Sequence, residues 1–271
     1  MNVRQRIPSV VRKQVRAVRG YASGMICKRP RHHRFFVLLS GGRRGSNLLI
    51  DLLNSHTDLS VDGEILNPHA VPQMLAPRLY LRGCRMRSRC DCYGFKVSVR
   101  QLKLQRLEPA AFLRKVIRDG GCIVHLDRTN ALRSAISREI AHARGRHVET
   151  TANPLQGQSF HIDSNQLVDS VCLRISGRRA ETELLKNVPH LSLNYEHDLL
   201  WAESHQCTCD RVFRYLDCEI QSVSTTHAKR SPPDLSKVVS NYDEVVMAVR
   251  RAGLGQFLND DEYRNSPASA A

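Results

Sequence analysis

Residues 34–54 read RFFVLLSGGRRGSNLLIDLLN, and this stretch decides the fold. Phe35 to Leu39 form a continuous apolar run of strand length, as expected for a strand covered on both faces. Gly41, Gly42 and Gly45 permit a tight turn with positive φ and a close backbone approach. Leu48, Leu49, Leu52 and Leu53 then recur at helical spacing, with Ser46 or Asn47 as the expected cap. A glycine-bearing loop that runs into a helix N-terminus presents backbone N–H groups and the positive end of the helix dipole. Arg43 and Arg44 add two charges that cannot be titrated away. Such a place suits an anion, a phosphate above all. Two solvated arginines at a plain strand–turn–helix corner would carry the same residues, so the rest of the chain has to decide.

Two common phosphate loops are excluded on spacing. The nucleoside-triphosphatase loop needs Lys after its last glycine, and Ser46 stands there. The dinucleotide fingerprint needs G-x-G-x-x-G, whereas Gly41, Gly42 and Gly45 are spaced G-G-x-x-G.

Outward from this stretch the chain alternates strands and helices. Leu59 to Val61 and Tyr93 to Val99 read as strands, Pro109 to Asp119 as a helix, and Cys122 to Leu126 as another strand. Asn130 caps a helical pattern to about Arg144, Asp163 to Leu185 is helical, and His190 to Tyr195 is a further strand. Helices are expected over Cys209 to Leu216 and Asn241 to Arg251, and residues 65–92 as a long loop with one short helix. This order predicts an α/β domain, a parallel β-sheet flanked by helices, with ligands at the C-terminal ends of the strands. The expected organisation is a basic N-terminal arm over 1–33, a single domain over 34–258 and a polar tail over 259–271.

With 271 residues the chain is long enough for a substantial core, and its net charge of +15 favours an anionic partner. The nine cysteines are odd in number and unevenly spaced, which fits free thiols better than a disulfide framework or a zinc site; no metal site is expected. No stretch approaches the ~20 apolar residues of a membrane span. Residues 1–33 are dense in Lys and Arg and free of acids, with valines interspersed. They suit a basic amphipathic helix on an anionic membrane, a solvated arm or an organellar transit peptide.

Four segments together resemble a known family. Arg43-Arg44-Gly45-Ser46-Asn47-Leu48-Leu49 resembles the 5′-phosphosulfate loop of sulfotransferases that use 3′-phosphoadenosine 5′-phosphosulfate (PAPS), which in bacterial members reads R-S-G-S-[TN]-L-L. Arg44 departs from it, standing where that pattern has Ser. Arg128, Asn130, Leu132, Arg133 and Ser137 fit the pattern R-x-N-x-L-R-x-x-x-S, whose Arg and Ser hold the 3′-phosphate of that family's cofactor. An Arg fork beside a hydroxyl is a sound phosphate clamp, and Ser134 shares the helix face of Ser137. The segment from His56 to Glu64 resembles H-P-x-[VI]-x-x-x-x-E, whose Glu is the proposed base where a catalytic His is lacking. Lys96, in a strand that resembles the family's G-x-K, is suited to neutralise charge on a sulfuryl group.

The resemblance implies a P-loop-like sulfotransferase fold over residues 34–258 and sulfuryl transfer from PAPS to an acceptor hydroxyl, a sugar or glycolipid. Its cofactor-binding residues would be Arg43, Arg44, Gly45, Ser46, Asn47, Arg128 and Ser137. Its catalytic residues would be Glu64, Arg43 and Lys96, with His56 next in line as base. By the same resemblance the segment around Lys229 to Pro233 closes over the nucleotide. The expected location is cytoplasmic or peripheral at a membrane. Two other readings fit parts of the chain. One is a P-loop-like nucleotide kinase, although no metal-binding Asp is evident. The other is a non-catalytic basic nucleic-acid-binding protein, although no recognition motif is present and specific nucleic-acid binding is not expected.

Overall fold

The computed structural model describes residues 9–26, 34–68, 74–144, 158–226 and 234–259. In chain order the elements are α1 (Ser9–Ile26), β1 (Arg34–Leu39), α2 (Ser46–Leu53), β2 (Leu59–Glu64), α3 (Pro77–Arg87), β3 (Cys92–Val97) and α4 (Val99–Leu104). There follow α5 (Pro109–Arg118), β4 (Cys122–Asp127), α6 (Ala131–Ala143), α7 (Ser164–Leu185), β5 (Leu191–Asn194), α8 (His205–Tyr215) and α9 (Tyr242–Arg251). The five strands form one parallel sheet in the order β2-β3-β1-β4-β5.

The unbroken apolar character of β1 follows from its central place. Phe36 and Leu38 point to one face, against Leu49, Leu52 and Leu53 of α2 and Val212 and Phe213 of α8. Val37 and Leu39 point to the other, where Leu102 of α4, Leu113 and Val116 of α5 and Tyr80 of α3 gather. Each such fully buried side chain contributes about 1.5–3 kcal/mol of transfer free energy. A third cluster joins Ala135 and Ile136 of α6, Leu167 and Val171 of α7, and Val245 and Val249 of α9.

Local capping chemistry sets the starts of α4, α5, α6 and α7. The Asn130 side chain accepts the Arg133 N–H at 2.9 Å, and Asp163 accepts from Asn165 and Gln166. Pro109 opens α5 behind a Glu108 cap. At α2 the expected cap is corrected: Gly45 holds that place, and Ser46 and Asn47 are the first two residues inside the helix. The reason is backbone geometry, since residue 45 turns through φ +86, where an L side chain is strained.

Topology places the site. The connection after β1 runs through α2 to the β2 edge, and the connection after β4 runs through α6 and α7 to the opposite edge. The crevice between the C-terminal ends of β1 and β4 is therefore the switch point of the sheet, where ligands of such folds bind. At the other end of the chain order, α1 lies against α3, so residues 9–26 form a helix packed on the domain. The segment around Lys229 to Pro233 lies outside the described residues, except that the chain before and after it is placed.

Candidate functional site

The loop after β1 is tied at its root to both neighbouring strands. The Ser40 N–H donates to the Val97 carbonyl at 3.0 Å, and its hydroxyl donates to the Leu126 carbonyl at 2.9 Å. Arg43 adopts φ +65 and Gly45 φ +86, which folds the loop back into α2. A Cβ on Gly45 would stand 2.4 Å from the Tyr195 ring, so glycine is required there by space as well as by conformation. The loop's carbonyls are taken by neighbours: Arg174 donates to Gly42 at 3.2 Å, Arg128 to Arg43 at 3.2 Å and Ser134 to Arg43 at 3.3 Å. The first N–H groups of α2 have no acceptor within the helix, by helix geometry, and sit beside this ring of cations.

The two phosphate-type motifs meet in one cluster. The Arg43 guanidinium donates through Nε and Nη2 to the Ser137 hydroxyl, at 3.1 and 2.8 Å. Because that hydroxyl accepts from Arg43, its own O–H remains to be donated to an anion. Arg128 is held from behind: its guanidinium lies 4.4 Å from the Tyr195 ring centroid, and its Nε is 3.6 Å from Glu196. Glu196 is buried and also accepts the N–H groups of Thr129 and Asn130, at 2.9 and 3.1 Å. Fixed in this way, Arg128 needs little reorganisation to receive a charge.

Arg44 does something different from Arg43. It is buried and its Nη1 pairs with Glu181 of α7, with the Asp127 carboxylate at 3.6 Å. Asp127 is bridged in turn by Arg178, and His125 Nε2 lies 3.4 Å from Glu181. The side chain of Arg44, expected to face a cofactor, is thus committed inward to these carboxylates. Glu181 is held below the usual carboxylate range: burial pushes it up, but the His125 hydrogen bond and the Arg44 charge and hydrogen bond outweigh that.

The helix α7 contributes residues that the sequence reading missed. Ser170, Arg174, Arg178 and Glu181 lie at i, i+4, i+8 and i+11, one face of the helix. That polar stripe on an otherwise mixed helix was the available signal. The Arg174 guanidinium is pushed down to about 10 by burial and by the charges of Arg138, Arg44, Arg128 and Arg43. The buried Arg174 Nε and Ser170 hydroxyl have no hydrogen-bond partner among the described residues. A cation depressed by four other cations marks a strongly positive field, of the kind that an anion relieves.

Glu64 and Lys96 end β2 and β3 side by side. Lys96 Nζ lies 2.7 Å from Glu64 Oε1, and Asn67 donates to Oε2 at 2.6 Å. Lys96 is buried within the sheet, neither at an edge nor reaching to solvent, while Glu64 is one-third exposed. Burial raises the Glu64 carboxyl, yet the Lys96 charge and hydrogen bonds from Lys96, Asn67 and Gln101 hold it below its ordinary value. With strands about 4.8 Å apart, Lys96 stands one strand and Glu64 two strands from the β1 loop, about 5 and 10 Å across the sheet.

His56 does not qualify as a base. It lies where the strands begin, at the end of the sheet opposite the loop, and both ring nitrogens are used. Nε2 donates to the Glu219 carbonyl at 2.9 Å, Nδ1 accepts from the Asp58 N–H at 3.1 Å, and the ring packs on Phe213. Among the described residues no group of His, Cys, Asp and Glu has the arrangement of a metal site, and the eight described cysteines are free thiols.

The fold is a parallel α/β sheet with a cluster of arginines gathered at its switch point. No protein-family profile matches the chain, and a search of curated proteins gives no match. Among solved structures the chain is similar to a crystal structure of a sulfotransferase from Alicyclobacillus acidocaldarius. The identity is 14%, the match covers 90% of this chain and 100% of the other, and the TM-score is 0.47.

Proposed function

We propose that the chain is a sulfotransferase that moves a sulfuryl group from PAPS to the hydroxyl of a sugar or glycolipid. The observation that carries this reading is the meeting of the β1 loop with Arg128 and Ser137 through Arg43. A donor with separate 5′ and 3′ anionic ends suits a site in which two arginine-bearing junctions converge. The unpartnered Arg174 Nε and Ser170 hydroxyl fit a further anionic oxygen.

In this reading Arg43 and the backbone of Gly45, Ser46 and Asn47 grip the 5′-phosphosulfate, and Arg128 with Ser137 holds the 3′-phosphate. The acceptor oxygen attacks sulfur, its proton goes to Glu64, and the bond from sulfur to the phosphate oxygen breaks, releasing adenosine 3′,5′-bisphosphate. Lys96 aligns Glu64 and offsets charge on the sulfuryl oxygens. Most of the acceleration comes from alignment and from fixed positive charge. A kinase reading is disfavoured by Asp127: the carboxylate that ends β4, beside the loop strand, is bridged by Arg178 and Arg44 and is not open to a magnesium ion.

The test is calorimetric titration with adenosine 3′,5′-bisphosphate, with ATP, adenosine 5′-monophosphate and duplex DNA as competitors. Binding that requires the 3′-phosphate is expected, weakened about 10- to 100-fold in Arg128→Ala by loss of a charged hydrogen-bond pair. No binding, or equal competition by ATP or DNA, overturns the reading. Glu64→Gln should leave bisphosphate affinity within about twofold and lower turnover by about 100-fold or more. Because Glu64 is held below its ordinary value, the acid limb of the rate profile should fall below the usual carboxylate range. A Glu64→Gln variant with full turnover removes Glu64 from the mechanism.

A further inference from the structure

We infer that α1 is an interfacial helix whose outer face lies on an anionic lipid bilayer. The inference is independent of sulfuryl transfer and starts from how α1 is held. Its inner face touches α3 backbone to backbone. A Cβ on Gly83 would stand 1.7 Å from the Gly20 carbonyl oxygen, one on Gly24 would stand 2.4 Å from the Leu79 carbonyl oxygen, and one on Gly20 would stand 2.3 Å from the Tyr80 ring. Gly20 and Gly24, four apart, make the flat stripe that such close helix contact needs, and Ala17 is buried beside them. This contact fixes which face of α1 turns outward.

The outward face is apolar. Val15, Val18, Met25 and Ile26 are exposed, Val18 at 65% and Met25 at 68%. At 100° per residue these four fall within an arc of roughly 100°, on the side of the helix away from Gly20 and Gly24. Leu75, fully exposed, stands next to this helix, because the N–H of Ala76 donates to the Tyr21 hydroxyl at 3.4 Å. A surface helix of a globular domain needs one apolar face, and α1 has a second that the domain leaves uncovered.

Charge selects the partner. The chain has no acidic residue before Asp51, and α1 carries Arg12, Lys13, Arg16 and Arg19 within its length. By the helical period Arg19, which is exposed, falls at the flank of the apolar arc. Arg78 and Arg82 of α3 are exposed as well. A second copy of this chain would present the same positive charge and be repelled, and a nucleic acid would leave the apolar arc in water. An anionic bilayer satisfies both features, with Val18 and Met25 in the acyl boundary and arginines at the lipid phosphates. The helix lies in the plane of the surface, since no described helix is long and apolar enough to cross a membrane.

The experiment is co-sedimentation of the full chain with vesicles of phosphatidylcholine containing about 30 mol% phosphatidylglycerol, against vesicles of phosphatidylcholine alone. Partition onto the anionic vesicles should exceed that onto neutral ones by about tenfold or more, and Arg19→Glu should lower it by about fivefold or more. Val18→Asp with Met25→Asp should abolish sedimentation and leave thermal melting unchanged, because both side chains point away from the domain. Absence of sedimentation with the anionic vesicles overturns the inference. So does sedimentation that the double variant leaves intact, or a wild-type dimer that the double variant dissociates.

Discussion

Glu181→Ala is expected to destabilise the fold by about 3–5 kcal/mol, the cost of leaving a buried charge without its partner. The charge is that of Arg44, and it cannot be shed by deprotonation. Asp127 offsets only part of this, because its Oδ1 stands 3.6 Å from Arg44, beyond hydrogen-bond reach, and its Oδ2 is held by Arg178. Arg174 lies close enough to Arg44 to add repulsion once Glu181 is gone. Replacing both partners, Arg44→Met with Glu181→Leu, should cost less than Glu181→Ala alone, since the pair is removed without an orphan. Urea denaturation of the wild type, the two single variants and the double variant closes the cycle. A loss below about 1 kcal/mol for Glu181→Ala would mean that Arg44 is not held inward and is available to the loop.

The same carboxylate gives a pH dependence with a definite sign. Its folded value lies below its unfolded one, so its contribution is present above the unfolded value and is lost as pH falls through the folded value. Acid destabilisation from this source should therefore set in as pH falls through the ordinary carboxylate value and be complete only below the folded one, and Glu181→Gln should lack it.

Arg43→Gly should lower turnover by about 100-fold or more, in line with removal of a principal charge-stabilising donor, while leaving stability within about 1 kcal/mol. Two opposed effects set the stability. Arg43 is strained at φ +65, and glycine relieves about 1–2 kcal/mol of that. Glycine also has more freedom to lose on folding, which costs about 0.5–1 kcal/mol. The contacts made by the Arg43 carbonyl to Arg128 and Ser134 are kept, because they belong to the backbone. Thermal melting beside steady-state rates and bisphosphate affinity separates the two effects. Arg43→Lys keeps the charge but loses the double donation to Ser137, and should fall between wild type and Arg43→Gly. If Arg43→Gly retains wild-type affinity and rate, the loop arginine is not part of the site.

Much of the fold was legible along the chain because the signals are local. The apolar run of β1, the Asn130 and Asp163 caps and Pro109 at the start of α5 each act within a few residues, and period and cap alone place those elements. The alternation of strands and helices likewise determined a parallel sheet. Of the candidate site, the sequence singled out Arg43 through its glycine-bearing loop, and Glu64, Lys96, Arg128 and Ser137 through the resemblance of their segments to a known family.

Only the tertiary structure decided what these residues do to one another. Arg44 looked like a second loop cation until Glu181, 137 residues away, was seen to draw it inward. Ser137 and Arg43 belong to separate motifs 94 residues apart, and their contact depends on β1 and β4 being neighbours. Lys96 meets Glu64 because β3 inserts between β1 and β2, an order no local pattern encodes. His56 and Glu64, eight positions apart, are separated by the length of β2 and lie at its opposite ends. Arg174 carries no motif at all; its role emerges from the field of four arginines brought in from three other places in the chain. Secondary structure follows from contacts within a turn or two, whereas ion pairs and the orientation of a helix face depend on which distant surface packs against it. The outward apolar arc of α1 is the same case: its sequence shows two faces, and only the glycine contact with α3 tells which one is left for a partner.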